Sequence, residues 1–181
     1  MLRIFILETL LAFIIASPVA AMIASIDTIG STSRISVEGR AFAKIELTHA
    51  VKRKEPKAPD PRVLYAFEQG EKLGTLELFS LGADFRGLPI AQGSYELTYR
   101  QQPPLKDHVD TSEFRDFVIL TDLDEPPGEG HPLVLALIPA SASPGDAASV
   151  RLEDSALVAE LTIDGQRVAI VLPGTQTERD E

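Results

Sequence analysis

The sequence predicts an all-β chain folded as an antiparallel β-sandwich, with a β-barrel as the alternative. Three observations lead there. Apolar residues recur with a period of two, turn-forming Gly and Pro punctuate them at roughly ten-residue spacing, and an Asp-Gly pair stands between two apolar segments near the end. No long helical repeat competes with this pattern. The strand tally is about eight or nine, as expected of two packed layers in the immunoglobulin- or transthyretin-like manner.

The first element is not a strand. Arg3 precedes an apolar run from Ile4 to Ala16, followed by the helix breaker Pro18 and the small residues Val19-Ala20-Ala21. These are the three zones of a secretory signal, with cleavage expected after Ala21 and export to the periplasm or extracellular space. Glu8 within the apolar run opposes insertion, and the alternative is an uncleaved membrane anchor over residues 4–24. Residues 22–33 read as a linker, and residues 34–173 as one β domain.

From Ile35 to Leu47 the odd-numbered positions are apolar or small and the even-numbered ones polar, with Phe42 the large exception on the polar side. A half-buried strand, or two strands broken near Gly39, explains this alternation. The basic, Pro-rich stretch from Lys52 to Pro61 reads as a solvated connection. Further strands are expected at Val63–Phe67, Thr75–Ser80 and Ser94–Arg100. Phe114–Leu120 is apolar on both faces, as a central strand would be, and Leu133–Ile138 is a second continuous apolar run. Asp164-Gly165 fits a type I′ hairpin turn, whose two central residues both need positive φ. A two-residue loop there sets Leu161 opposite Val168, Ala159 opposite Ile170 and Leu157 opposite Leu172, all on one face. Residues 174–181 read as a disordered acidic tail.

Composition narrows the function classes. The chain has 181 residues, a 44% hydrophobic fraction and a formal charge of −10. That is one globular domain, and its acidity (pI about 4.8) works against a nucleic-acid partner, whose phosphates need basic residues. With no Cys, disulfides, thiolate metal sites and thiol nucleophiles are excluded. The G-x-S-x-G, P-loop, G-x-G-x-x-G and H-E-x-x-H signatures are missing as well. No catalytic residue and no cofactor is assigned.

Candidate binding residues are His108, Asp110, Arg115, Asp116 and His131. If the loops holding His108 and His131 share one end of the fold, the two imidazoles could meet, with Asp107, Asp110 or Glu113 nearby; that is the metal-binding alternative. Asp122, Asp124, Glu125 and Glu129 form an acidic loop whose start resembles a calcium loop, but Pro126 and Pro127 stand where an EF-hand needs a ligand and its glycine. Alternation places Asp116 on the apolar face of Phe114 and Val118. A buried carboxylate there needs either an ion pair, with Arg86 or Arg100, or several backbone N–H donors.

Asp84-Phe85-Arg86-Gly87, then Gly93-Ser94-Tyr95-Glu96-Leu97-Thr98-Tyr99, then His108-Val109-Asp110-Thr111-Ser112-Glu113-Phe114-Arg115-Asp116-Phe117, then His131-Pro132 occur in that order. The series resembles a family of uncharacterised exported bacterial proteins, and the stretch from His108 to Phe117 is its most specific part. That family is expected to carry a glycine close to the histidine on each side, where this chain has Lys106 and Asp110. The resemblance implies export and brings no activity with it.

Together these readings predict a non-catalytic exported binding or accessory module, its partner an unknown protein or small ligand. The alternatives are a metal-binding protein or metalloenzyme using His108 and His131, and a membrane-tethered structural protein if the N-terminal segment stays uncleaved. Oligomeric state is not legible.

Overall fold

The structure, a computed structural model, describes residues 23–48, 50–54, 61–65, 67–84, 87–102, 115–124, 132–141, 148–153 and 156–175. They form thirteen strands: β1 (Ala24–Ile29), β2 (Thr32–Val37), β3 (Arg40–Leu47), β4 (Lys72–Leu78), β5 (Gly82–Ala83), β6 (Pro89–Ile90), β7 (Gly93–Gln101), β8 (Asp116–Asp122), β9 (Leu133–Ile138), β10 (Ser149–Glu153), β11 (Ala156–Ile163), β12 (Gln166–Val171) and β13 (Gly174–Thr175). The described residues contain no helix.

Ten strands make one antiparallel sheet in the order β1-β2-β3-β4-β7-β8-β9-β12-β11-β10. Its edge strands, β1 and β10, come close to each other without pairing. The sheet is therefore rolled into a nearly closed, barrel-like shape around one core. Strands β13, β5 and β6 form a small second sheet. The strands run as a meander as far as β9; the chain then passes over to the far edge and returns through β10, β11 and β12.

Alternation explains the lining. Along β7, Tyr95, Leu97 and Tyr99 are buried at 2% exposure or less, and Val118 and Leu120 face them from β8. Leu157, Ala159, Leu161 and Ile163 of β11 join the same cluster. The β11–β12 hairpin pairs Leu161 with Val168 and Ala159 with Ile170. Its turn has φ of 49° at Asp164 and 73° at Gly165, the left-handed pair that a type I′ turn requires.

Four expectations are corrected. Gly174–Thr175, at the start of the expected disordered tail, is the strand β13, paired with β5. Residues 24–29, inside the expected linker, are the edge strand β1, paired with β2 from Ala24↔Val37 to Ile29↔Thr32. Phe42 does not face water. A bulge between the Ile35↔Ala43 and Ser36↔Ala41 pairs makes it the extra residue of β3, and it is buried beside Ala43 while Ala41 is exposed. Val63–Phe67 is not a strand: Phe67 makes one isolated bridge to Arg53, and the amides of Leu64 and Tyr65 go to a side chain instead.

Candidate functional site

The described residues contain two fully buried carboxyl clusters and several open clefts, one of them lined mainly by hydroxyls. The first cluster centres on Asp116, at the start of β8 and 0% exposed. Leu64 N–H donates to its Oδ2 at 2.7 Å, and Tyr65 N–H reaches Oδ1 at 3.3 Å. Tyr99 Oη lies 2.5 Å from Asp116 Oδ1 and 2.8 Å from the Tyr65 carbonyl oxygen. Tyr65 stacks on Phe67, with ring centroids 6.0 Å apart, and Phe67 meets Tyr99 edge-on at 5.4 Å.

Burial pushes the Asp116 carboxyl above the usual carboxylate range; the Tyr99 hydrogen bond, the Leu64 and Tyr65 amides and the Arg115 charge pull the other way without reversing it. Burial, together with the hydrogen bond to Asp116 and the charge of that carboxyl, raises the Tyr99 hydroxyl as well. Of the two solutions expected for this carboxyl, the backbone-donor one is present. Arg100 is exposed and sits opposite Phe117 in the ladder, so it is not an ion-pair partner here. Arg115 turns its Nε to the Gln102 carbonyl at 2.7 Å, while its own N–H donates to the Arg62 carbonyl.

The second cluster was not foreseen. Glu160 lies on the side of β11 away from the core, yet it is only 1% exposed. Ser141, on the connection from β9 to β10, donates to it through both N–H (2.8 Å) and Oγ (2.7 Å). Arg151 of β10 and Arg167 of β12 close on its two oxygens. Burial alone would raise this carboxyl, but the Ser141 bonds and the two guanidinium charges outweigh it and hold it below the ordinary range. The arrangement fastens the crossover connection to the outer side of the sheet.

The cleft, about 270 Å³, opens at the end of the seam where β1 and β10 fail to zip together. Its described lining brings together Thr28 from β1, Ser31 and Ser33 from the start of β2, Thr48 after β3, and Thr162 and Asp164 at the end of β11. Leu47 and Leu161 supply a buried aliphatic floor. Thr28 Oγ1 and Ser33 Oγ share a hydrogen bond at 2.9 Å. The Asp164 carboxylate stands 3.5 Å from Arg53 Nε, with both side chains close to half exposed, and Arg53 also donates to the Asp164 carbonyl.

No protein-family model, curated protein or solved structure matches the chain. The geometry therefore carries the functional reading by itself.

Of the sequence-derived candidates, His108, Asp110, His131 and Arg86 lie outside the described residues, as does His49. Among the described residues no group of three or more His, Cys, Asp or Glu is placed to hold a metal ion. In the acidic loop, Asp122 Oδ1 accepts the Asp124 amide at 2.8 Å, a local turn bond. The cleft was missed because its hydroxyls are scattered from residue 28 to residue 162 and carry no shared motif; only rolling of the sheet assembles them.

Proposed function

We propose that the protein is an exported, non-catalytic binding module that takes a small polar ligand in the seam cleft. The cleft carries this reading: it is the place where hydroxyls from four separate chain segments converge over an aliphatic floor. The buried carboxyls are already occupied: Asp116 holds the 61–65 segment, Glu160 the crossover connection, and Asp84 the turn to Leu88. Export rests on the N-terminal segment, residues 1–21.

The lining also suggests the ligand's chemistry. Hydroxyls donate and accept, so they suit a partner that does both. The Asp164 carboxylate accepts from hydroxyl donors, and its pairing with Arg53 leaves the lining close to neutral, which suits an uncharged ligand. A volume of 270 Å³ is below the roughly 300–1,000 Å³ of drug-sized sites, so the ligand is small. A neutral polyol or monosaccharide meets all three conditions.

Titration of the protein with myo-inositol and D-glucose, followed by amide NMR, tests this. Shifts confined to Thr28, Ser31 and Thr162 are expected, with acetate giving none. Asp164→Asn keeps the turn, since Asn tolerates the left-handed region, and should weaken binding about tenfold, the cost of one good hydrogen bond to a charged group. A cleft unmoved by either polyol overturns the ligand reading. Cell fractionation that recovers the unshortened chain in the cytoplasm overturns export.

A further inference from the structure

The Asp116 cluster holds a proton-counting problem that the binding reading does not touch. Tyr99 has one hydroxyl hydrogen and two oxygen neighbours within bonding distance, Asp116 Oδ1 at 2.5 Å and the Tyr65 carbonyl at 2.8 Å. A carbonyl only accepts. If Asp116 is ionised, it also only accepts, so one of the two contacts has no hydrogen in it. If Asp116 is the neutral acid, its own O–H donates to Tyr99, Tyr99 donates to Tyr65, and Leu64 N–H donates to the remaining oxygen. Every contact is then filled and no charge is buried.

We propose that Asp116 is kept as the neutral acid in the folded protein, and that its ionisation as pH rises is a switch that loosens the 61–65 segment. The two-state element is the Tyr99 hydroxyl. In the acid form, the segment is tied to β7 and β8 by Leu64 N–H, Tyr65 N–H and the Tyr65 carbonyl. In the ionised form, Tyr99 turns its hydrogen to the carboxylate and the carbonyl loses its donor. The groups facing Asp116 are Tyr99 from β7, the 64–65 backbone, and Arg115 beside it in the chain; the charges of Asp116 and of Glu160 on β11 both act on the Tyr65 hydroxyl. Burial, the largest influence on Asp116, favours the acid; Arg115 is the smallest of the opposing influences.

The sign is opposite to that of most carboxyls. An ordinary Asp titrates near 3.9, so above that pH the unfolded chain has lost a proton that the folded chain keeps. The folding constant therefore falls as pH rises, by up to about tenfold per unit, until the folded carboxyl also ionises. Asp116→Asn is the informative variant. Its amide donates to Tyr99 as the acid does and its oxygen accepts from Leu64; only the long Tyr65 N–H contact loses its acceptor.

Carbon-detected NMR titration of the Asp116 carboxyl, with urea unfolding of the wild type and of Asp116→Asn across the same pH range, provides the test. The expected midpoint lies above that of an ordinary Asp, because burial disfavours the carboxylate. The expected variant folds like the wild type in acid and lacks the wild type's loss of stability at higher pH. The Tyr65 carbonyl carbon shift, which reports the hydrogen bond from Tyr99, should move through the midpoint in the wild type only. A midpoint at or below 3.9 overturns the proposal. So does a folded variant that keeps the wild-type pH slope. Should the variant fail to fold, the wild-type midpoint alone decides.

Discussion

Tyr65 Oη donates to the Ile138 carbonyl at 2.6 Å, and the same oxygen accepts the Ala169 amide at 3.1 Å. Ile138 and Ala169 are partners in the β9–β12 ladder, which has only two residue pairs. A side chain from the 61–65 segment thus completes the join between the meander and the returning hairpin. Tyr65→Phe removes that bridge and leaves a carbonyl and an amide with no donor or acceptor between them. The expected cost is about 1–3 kcal/mol, measured by urea unfolding, with faster amide exchange at Ala169. Unchanged stability and exchange would mean that the strands close directly on each other.

Glu160 should be the most sensitive position outside the core. Glu160→Gln leaves Arg151 and Arg167 facing each other across a neutral amide, and their side chains remain 32% and 21% exposed. Loss of one partner from a buried ion pair costs about 3–5 kcal/mol, and partial solvation of the guanidiniums brings the expectation to about 2–4 kcal/mol. The pH dependence follows from the lowered carboxyl. Its contribution is complete above the ordinary Glu value of about 4.3 and is lost as pH falls through the lower folded value. Wild type should therefore lose stability in acid more steeply than Glu160→Gln; parallel profiles would show that the cluster does not titrate with folding.

The turn at Asp164-Gly165 was legible because a two-residue loop fixes the register of everything beside it. The pairs Leu161↔Val168 and Ala159↔Ile170 follow from that turn and alternation alone. Leu133–Ile138 was equally plain, because its apolar run is bounded by prolines at 132 and 139. Phe42 was not: a bulge shifts the period by one, and nothing in the local residue types announces it. Val63–Phe67 has the composition of a strand, but composition does not reveal that a distant carboxyl takes the amides of Leu64 and Tyr65.

The site was less legible than the fold for a related reason. Alternation showed that Asp116 had to be buried and supplied with donors, and it left the choice of donors open. Tyr99 is its neighbour only because β7 pairs with β8 in the register that sets Gln101 opposite Asp116. Glu160 alternates outward from β11 and so looked solvated. Its burial depends on the path of the β9–β10 connection, which brings Ser141 over that face.

Replacing Gly165 with Ala tests how far the hairpin turn specifies the fold. No heavy atom lies within 4 Å of the position an added Cβ would take, so only the backbone conformation at φ 73° opposes the change. The expected loss is about 1–2 kcal/mol, the cost of the left-handed region for an L-residue. Chemical denaturation measures it, and the same loss should appear in the polyol-bound and free protein if the turn keeps its shape.

Gly74→Ala should behave quite differently, although both positions are glycines of positive φ. Gly74 of β4 sits where the β4–β7 register shifts between Lys72 and Gly74, and it is paired with Leu47 at the end of β3. A Cβ there would stand 2.2 Å from the Glu46 carbonyl oxygen and 3.0 Å from Leu47 Cα, both main-chain atoms. A flexible side chain can move aside; two strands held in one ladder cannot do so without breaking hydrogen bonds. Steric overlap then adds to the conformational strain at φ 155°, and the loss should reach at least about 3 kcal/mol, the upper end for overpacked sites. Gly74→Ala should accordingly unfold at much lower urea than Gly165→Ala. If the two variants prove equally stable, β3 and β4 are not packed as closely as this register requires.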